Sequence, residues 1–223
     1  MTKLIFDIEV AFSADEGCGF IAEPFTPEMS RYIDITKQSG MNRARSTANR
    51  RKALEEHLKQ IGMTLVEFDE LERLARRPFI LDTDGHILIT KTNVQGFLVA
   101  TTDELRSASK PCPKEQVRSR IGITPWATAK KAPDGVYERF ATVTGGAGNK
   151  LSNQRALRSS HYISGFSAHG QMSIDPEFVK PSVLEGAIRW GGENVGIGAA
   201  RKMGWGRFTL ASFEEQHLRI AAE

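Results

Sequence analysis

Three cations lie among glycines towards the C-terminal end of the sequence. Arg201, Lys202 and Arg207 sit between and beside Gly196, Gly198, Gly204 and Gly206, with Gly191 and Gly192 just upstream. Glycine removes the side chain where a backbone takes positive φ or comes close to a ligand, and it leaves amide N–H groups open as anion donors. Cations beside such amides supply the charge that neutralises phosphate. The chemistry is therefore binding of a phosphate-bearing ligand, with the amides from Gly196 to Gly206 as donors. Trp205, set among the cations, is a candidate for stacking on a base. The competing reading is a tight connection whose glycines relieve crowding beside an edge strand.

The elements around these glycines decide which phosphate sites are possible. Phe178-Val179, Val183-Leu184, Ala187-Ile188 and Trp190 recur at helical spacing before them, and Trp205 to Phe213 reads as a strand after them. A dinucleotide fingerprint needs the reverse order, glycines after a strand and opening a helix, and Arg201 stands where its third glycine belongs. A second cluster, Gly145-Gly146-Ala147-Gly148-Asn149-Lys150-Leu151-Ser152, fails as a P-loop because Asn149 and Leu151 break the Gly-Lys-Ser/Thr contiguity. Rossmann and nucleotide-triphosphatase chemistry are set aside.

The pattern Gly-x-Gly-x-x-Arg-x-x-Gly-x-Gly-Arg-Phe, from Gly196 to Phe208, resembles the C-terminal glycine-rich loop of the RAMP superfamily, the RNA-binding proteins of CRISPR effector complexes. The resemblance covers His161 to Phe213. In that family the loop joins the last helix and last strand of a ferredoxin-like, RRM-related domain, the order read above. The resemblance implies an α+β fold with an antiparallel sheet and crossover helices, and the helical hairpin read at about 42–77 is then either the first crossover helix enlarged or an insertion between core elements. It also implies an RNA-binding subunit of a CRISPR-type ribonucleoprotein, gripping guide or single-stranded RNA by its phosphate backbone. Its partners would be RNA, copies of itself and other effector-complex subunits, with no cofactor. The family's glycine-rich turn after the first strand is missing from this sequence unless Gly17-Cys18-Gly19 is a shortened version of it.

Other residues extend or rival this reading. Arg43, Arg45, Arg50, Arg51 and Lys52 form a basic helix face, either a phosphate track or a solvated surface, and Glu55 and Glu56 stand at helical spacing to pair with Arg51 and Lys52. Lys150, Arg155 and Arg158 punctuate a polar stretch from Thr144 to Ser160, the composition of a flexible loop along a phosphate backbone. Phe140, Tyr162 and Phe166 are further candidates for stacking, with core packing as their competing role.

His161, beside Ser159, Ser160 and Tyr162, is the candidate catalytic base of an endoribonuclease, in which a 2′-hydroxyl attacks and Arg or Lys stabilises the phosphorane. Some RAMP endoribonucleases resemble that arrangement. Others cut with a loop aspartate, but no motif here carries that residue over to Asp7 or Asp34. His57, His86, His169 and His217 lack ligand spacing, and the Asp82-Thr83-Asp84-Gly85 turn lacks the ligands of an EF-hand, so no metal site is expected. A third reading keeps the fold but binds or inhibits other proteins without RNA.

The 223 residues are 40% hydrophobic and 26% charged with a net charge of +3, an ordinary globular balance that permits nucleic-acid binding without demanding it. One domain over 1–223 is expected, with a helical insertion at about 42–77 and a basic loop at about 144–160. Cys18 and Cys112 form no C-x-x-C, no window approaches a membrane span, and the N-terminus does not read as a signal peptide. A soluble, cytoplasmic protein is expected.

Strands are read over Leu4 to Phe12, Arg31 to Thr36, Val136 to Val143 and His161 to Ile174, with strand pieces between Val117 and Trp126. Phe79 to Leu81 and Ile87 to Ile89 flank the Asp-Gly turn as a hairpin. Helices are read over Asn42 to Gln60, from the Thr64/Glu67 capping box to Arg77, over Val94 to Ser107, and from an Asp175-Pro176 entry.

Overall fold

The computed structural model describes residues 3–15, 17–22, 26–41, 46–75, 77–113, 117, 119–143 and 154–216, with the backbone alone at 140–143 and 154–158. In chain order the elements are β1 (Leu4–Phe12), α1 (Pro27–Gln38), α2 (Thr47–Ile61), α3 (Leu65–Ala75), β2 (Ile80–Leu81), β3 (Ile87–Ile89) and α4 (Lys91–Ser107). Then come β4 (Gly122–Ile123), β5 (Trp126–Thr128), β6 (Gly135–Val143), β7 (Gln154–Tyr162), β8 (Phe166–Ile174), α5 (Pro181–Asn194) and β9 (Phe208–Glu215).

Alternation along β1 creates the core face. Phe6, Ile8, Val10 and Phe12 are buried, while Asp7 stands exposed on the opposite face. β8 answers with Phe166, Ala168, Met172 and Ile174, and the Phe12 and Phe166 rings stack at 4.4 Å between centroids. The sheet runs β2-β3-β5-β8-β1-β9 with every neighbouring pair antiparallel. Without its insertions the chain is β1-α4-β5-β8-α5-β9, a β-α-β-β-α-β unit with its strands in the spatial order fourth, first, third, second. This is the ferredoxin-like fold expected from the sequence.

The crossover helices cover the apolar face. α4 opens on Thr90, whose hydroxyl accepts from the Asn93 amide at 3.2 Å, and buries Val94, Phe97, Leu98, Thr101 and Leu105 along one stripe. α5 buries Leu184, Ala187, Ile188, Gly191 and Gly192. Trp126 on β5 is fully enclosed, and each such large apolar side chain contributes roughly 1.5–3 kcal/mol by its removal from water. Pro125 interrupts the second core strand, so β4 and β5 both pair with β8; the Thr124 hydroxyl accepts the Gln171 amide at 2.8 Å and carries the ladder past the proline.

The chain divides into two compact units, Met1–Glu23 with Phe79–Glu223, and Pro24–Pro78. The second is helical and starts earlier than the sequence reading placed it. α1 replaces the strand expected at Arg31 to Thr36: Thr26 caps the Met29 amide, Pro27 sits in the first turn with Glu28, and these helix-start signals outweigh the β-branched Ile33, Ile35 and Thr36. The expected capping box is present, with Thr64 N–H donating to Glu67 at 2.7 Å and Glu67 N–H to the Thr64 hydroxyl at 3.2 Å. α2 stops at Gly62 in the left-handed conformation.

Other boundaries also move. Asp175-Pro176 forms a separate turn, closed by the Phe178 and Val179 amides on the Asp175 carbonyl, and α5 starts at Pro181. Gly191 and Gly192 belong to the last turns of that helix. Gln154 to Ser160, expected in a loop, pairs with β6 as part of β7, and residues 144–153 lie outside the described residues.

The β6–β7 hairpin is joined to the sheet through one carboxylate. Asp134 accepts from the Ser164 amide at 2.7 Å and from Lys130 Nζ at 2.8 Å. Partial burial pushes this carboxyl up, but the Lys130 ammonium and the Ser164 amide outweigh it and hold it below its ordinary value of 3.8. A depressed carboxyl stabilises the fold above its ordinary value, and that contribution is lost as pH falls through the folded value. Asp134→Asn is expected to remove about 1 kcal/mol at neutral pH, a Tm decrease of roughly 2–4 °C, and the difference from wild type should vanish as pH drops below 3.8, measured by thermal melts.

Candidate nucleic-acid interface

The glycine loop leaves α5 and folds back on itself before β9. The Val195 and Gly196 amides donate to the Gly191 carbonyl, which closes the helix. Ile197 is fully buried, and its amide donates to Gly206 O at 2.8 Å. Ala199 N–H donates to Ile21 O and Gly206 N–H to Gly19 O, both at 2.8 Å, so the loop is fastened to the segment that follows β1. Arg201–Met203 makes one 3-10 turn, closed by the Met203 and Gly204 amides on Ala200 and Arg201 carbonyls.

These bonds engage several of the amides from Gly196 to Gly206 that were expected to hold phosphate. The Gly196, Gly204 and Gly206 amides already serve the loop's own fold, and Gly196, Gly198, Gly204 and Gly206 all take positive φ. What the loop offers a ligand is side-chain charge. Lys202 and Arg207 are exposed and Arg201 is half-buried, and among the described residues none of the three makes an ion pair. Other cations of the same unit are engaged, as Lys130 is with Asp134.

Trp205 is 3% exposed and is corrected from a base-stacking residue to a packing one. Its ring lies against Tyr137 of β6 and Tyr162 of β7, with centroids 4.9 and 5.0 Å away, and the Tyr137 hydroxyl reaches the Met203 sulfur at 3.5 Å. Aromatic pairs of this kind contribute about 0.5–1.5 kcal/mol beyond their burial. Three rings from three sequence-distant elements thus join the hairpin base to the cationic loop. Tyr137 was not singled out in the sequence, where nothing local marks it.

The hairpin brings Arg139 into register with Arg158, and Thr142 with Arg155. The side chains of Arg155, Arg158 and Phe140 lie outside the described residues. His161 is exposed opposite Val136, with no hydrogen-bond or ion-pair partner among the described residues. A general base is oriented by a third group, and the described residues supply none to this histidine. The nearby Ser159 hydroxyl donates instead to Glu138, at 3.3 Å.

The uncovered face of the sheet carries carboxylates. Glu9 lies opposite His169, with 3.7 Å between their charged atoms, and Asp7 lies opposite Glu214. The Asp7 carboxylate accepts from the side-chain amides of Gln171 at 3.1 Å and Gln216 at 2.8 Å. A shallow hollow of about 320 Å³ lies over Asp7, Glu9, His169, Gln171 and Ser212. Phe166 points the other way, into the core. RRM-type base stacking needs exposed aromatics on this face, and among the described residues this face carries carboxylates, which repel phosphate.

In the helical unit, Arg50, Arg51 and Lys52 are exposed on α2. Arg51 pairs with Glu55 at 2.9 Å and Lys52 approaches Glu56 at 4.0 Å, as the spacing predicts. Arg43, Arg45 and Lys150 lie outside the described residues. Asp34, read as a strand-end carboxylate, is exposed on α1. Asp82, Asp84 and His86 place ligand atoms within 4.8 Å of one another, a proximity the sequence reading did not expect. Asp82 closes that turn by accepting the Asp84 and His86 amides, which hold its carboxyl below the ordinary value. Among the described residues no helix is long and apolar enough to cross a membrane.

A side chain at position 206 would meet the Ile197 backbone, whereas at 204 the nearest atom is Gly17 O at 3.6 Å. Gly206→Ala combines positive-φ strain with a backbone clash and is expected to cost roughly 3 kcal/mol or more, against about 1 kcal/mol for Gly204→Ala. Denaturant melts of the two variants measure the contrast, and equal losses would refute the close approach.

No family model matches the chain, and no curated protein matches it. Among solved structures it is similar to a chain of a cryo-EM structure of the Type III-B Cmr-beta bound to cognate target RNA. The identity is 9% and the TM-score 0.46, over 96% of this chain and 60% of that one.

Proposed function

We propose that this protein is a RAMP-type RNA-binding component of a CRISPR-type ribonucleoprotein, holding guide or single-stranded RNA by its phosphate backbone. The observation that carries the reading is the set Arg201, Lys202 and Arg207, three cations without ion pairs among the described residues, on a loop fixed by its own backbone bonds. A fixed loop loses little entropy on binding, and charge without directed donors favours phosphate over bases. The glycine-loop motif and the ferredoxin-like topology support the family and the class of assembly. The hairpin, joined to the loop through Trp205, continues the same surface toward Arg139.

His161 takes no part in catalysis on this reading. The protein-interaction alternative draws its support from the acidic face of the sheet, which suits a basic protein better than RNA.

Fluorescence anisotropy with a labelled single-stranded RNA, across a sodium chloride series, separates these readings. Neutralising three phosphates predicts that Arg201→Ala/Lys202→Ala/Arg207→Ala weakens binding roughly 10- to 100-fold at low salt and lowers the slope of log K against log salt by about 2. His161→Ala should bind as wild type and leave the RNA as intact as wild type does. A folded wild type that fails to bind RNA at low salt would refute the proposal and favour the protein-interaction reading.

A further inference from the structure

Beside the cationic loop, within the same compact unit, the end of β1 and the start of β9 border a hollow of about 350 Å³. Its floor is largely apolar. Ala11 and Phe12 lie opposite Thr209 and Phe208 in the β1–β9 register, and the two buried phenylalanine rings pack with centroids 5.4 Å apart. Its walls carry charge of both signs, the Arg207 guanidinium from the loop and the Glu193 carboxylate from the last turn of α5. A side chain at Gly192 would meet the Phe208 ring and carbonyl, so α5 comes down closely on the start of β9 and sets Glu193 over the same hollow as Arg207.

Glu193 and Arg207 are both exposed, and among the described residues neither makes a hydrogen bond or an ion pair. The hydroxyls of the hollow are already engaged, Ser13 donating to Asp15 and Thr209 to the Ala11 carbonyl. That leaves one carboxylate and one guanidinium, lining one space without meeting, as the groups open to a ligand. They suit a molecule that carries an anion and, close by, an edge of hydrogen-bond donors.

We infer that this hollow seats one base of the bound RNA and selects guanine. The inference rests on the RNA reading above and adds a sequence preference to it. An ionised carboxylate only accepts hydrogen bonds, so it pairs with a base edge that donates. Guanine alone among the four bases presents two adjacent donors, N1–H and the N2 amino group, which a carboxylate takes bidentately. Uracil sets its one N–H between two carbonyls, and adenine and cytosine place an acceptor beside their amino group. Arg207 holds the phosphate of the same nucleotide. A carboxylate beside a phosphate track repels it unless a donor occupies the carboxylate, so Glu193 penalises the other bases as well as favouring guanine.

Fluorescence anisotropy tests this with the full chain and fluorescein-labelled single-stranded RNAs of about 12 nucleotides, uridine throughout or uridine with one central guanosine or inosine. The guanosine RNA is expected to bind roughly 5- to 100-fold more tightly than the uridine RNA, the range of one bidentate base contact. Inosine lacks the N2 amino group and should lose most of that gain. Glu193→Gln keeps the size of an exposed side chain but turns an amide donor toward a donor edge, so the guanosine preference should nearly vanish, while uridine RNA binds slightly more tightly as a negative charge leaves the phosphate track. Guanosine monophosphate, which lacks the rest of the strand, should compete only at millimolar concentration. Equal binding of the guanosine and uridine RNAs by wild type would overturn the inference and leave the RNA reading standing, as would a guanosine preference that neither inosine nor Glu193→Gln reduces. Competition by micromolar guanosine monophosphate would overturn it in favour of a free nucleotide. Failure to bind any of these RNAs at low salt would overturn it together with the RNA reading.

Discussion

The backbone of Gly206 is held from two sides: its carbonyl accepts from Ile197 and its amide donates to Gly19. This close approach joins the end of the last helix, the start of the last strand and the segment after the first strand. A side chain at 206 is excluded by the Ile197 backbone, so the staple depends on one residue type. The rest of the candidate interface follows from it. It fixes the short turn that presents Arg201 and Lys202, sets the direction in which Arg207 enters β9, and directs Trp205 between the two hairpin tyrosines. The glycines thus shape the loop, and the loop carries the cations.

Charge is distributed by surface rather than by total. A net charge of +3 over 223 residues says little, yet the uncovered sheet face gathers Asp7, Glu9 and Glu214 while the glycine loop carries cations that make no ion pair among the described residues. On the proposed function, such separation would orient an approaching polyanion before contact and steer it away from the sheet. The rings that a sequence reader would assign to bases, Phe166 and Trp205, are buried where they hold elements together.

Much of the fold was legible because its signals are local. Alternation in Leu4 to Phe12, the Asp-Gly turn, the Thr64/Glu67 box and the helix, loop, strand order around Gly196 each follow from neighbours a few residues apart. The errors arose where local signals conflict or distant ones decide. Ile33, Ile35 and Thr36 look like a strand until Thr26 and Pro27 are read as a helix start. Gln154 to Ser160 lacks an alternating pattern of its own and takes its register from β6. In the site, charge was readable, but the fate of the loop amides was not: their acceptors include Gly19 and Ile21, nearly the length of the chain away. The same holds for Trp205, whose partners come from two strands of a hairpin that sequence reading placed partly in a loop.

β1 lies between β8 and β9, so its two partners are roughly 150–210 residues further along the chain. During synthesis, at about 5–20 residues per second, Phe6, Ile8, Val10 and Phe12 therefore emerge on the order of ten seconds or more before any strand can pair with them. The helical unit has all its contacts within a short span and can fold while that strand waits. The carboxylates Asp7 and Glu9, interleaved with the apolar residues, then serve as gatekeepers: they keep an unpaired nascent strand from associating with others until the C-terminal half arrives.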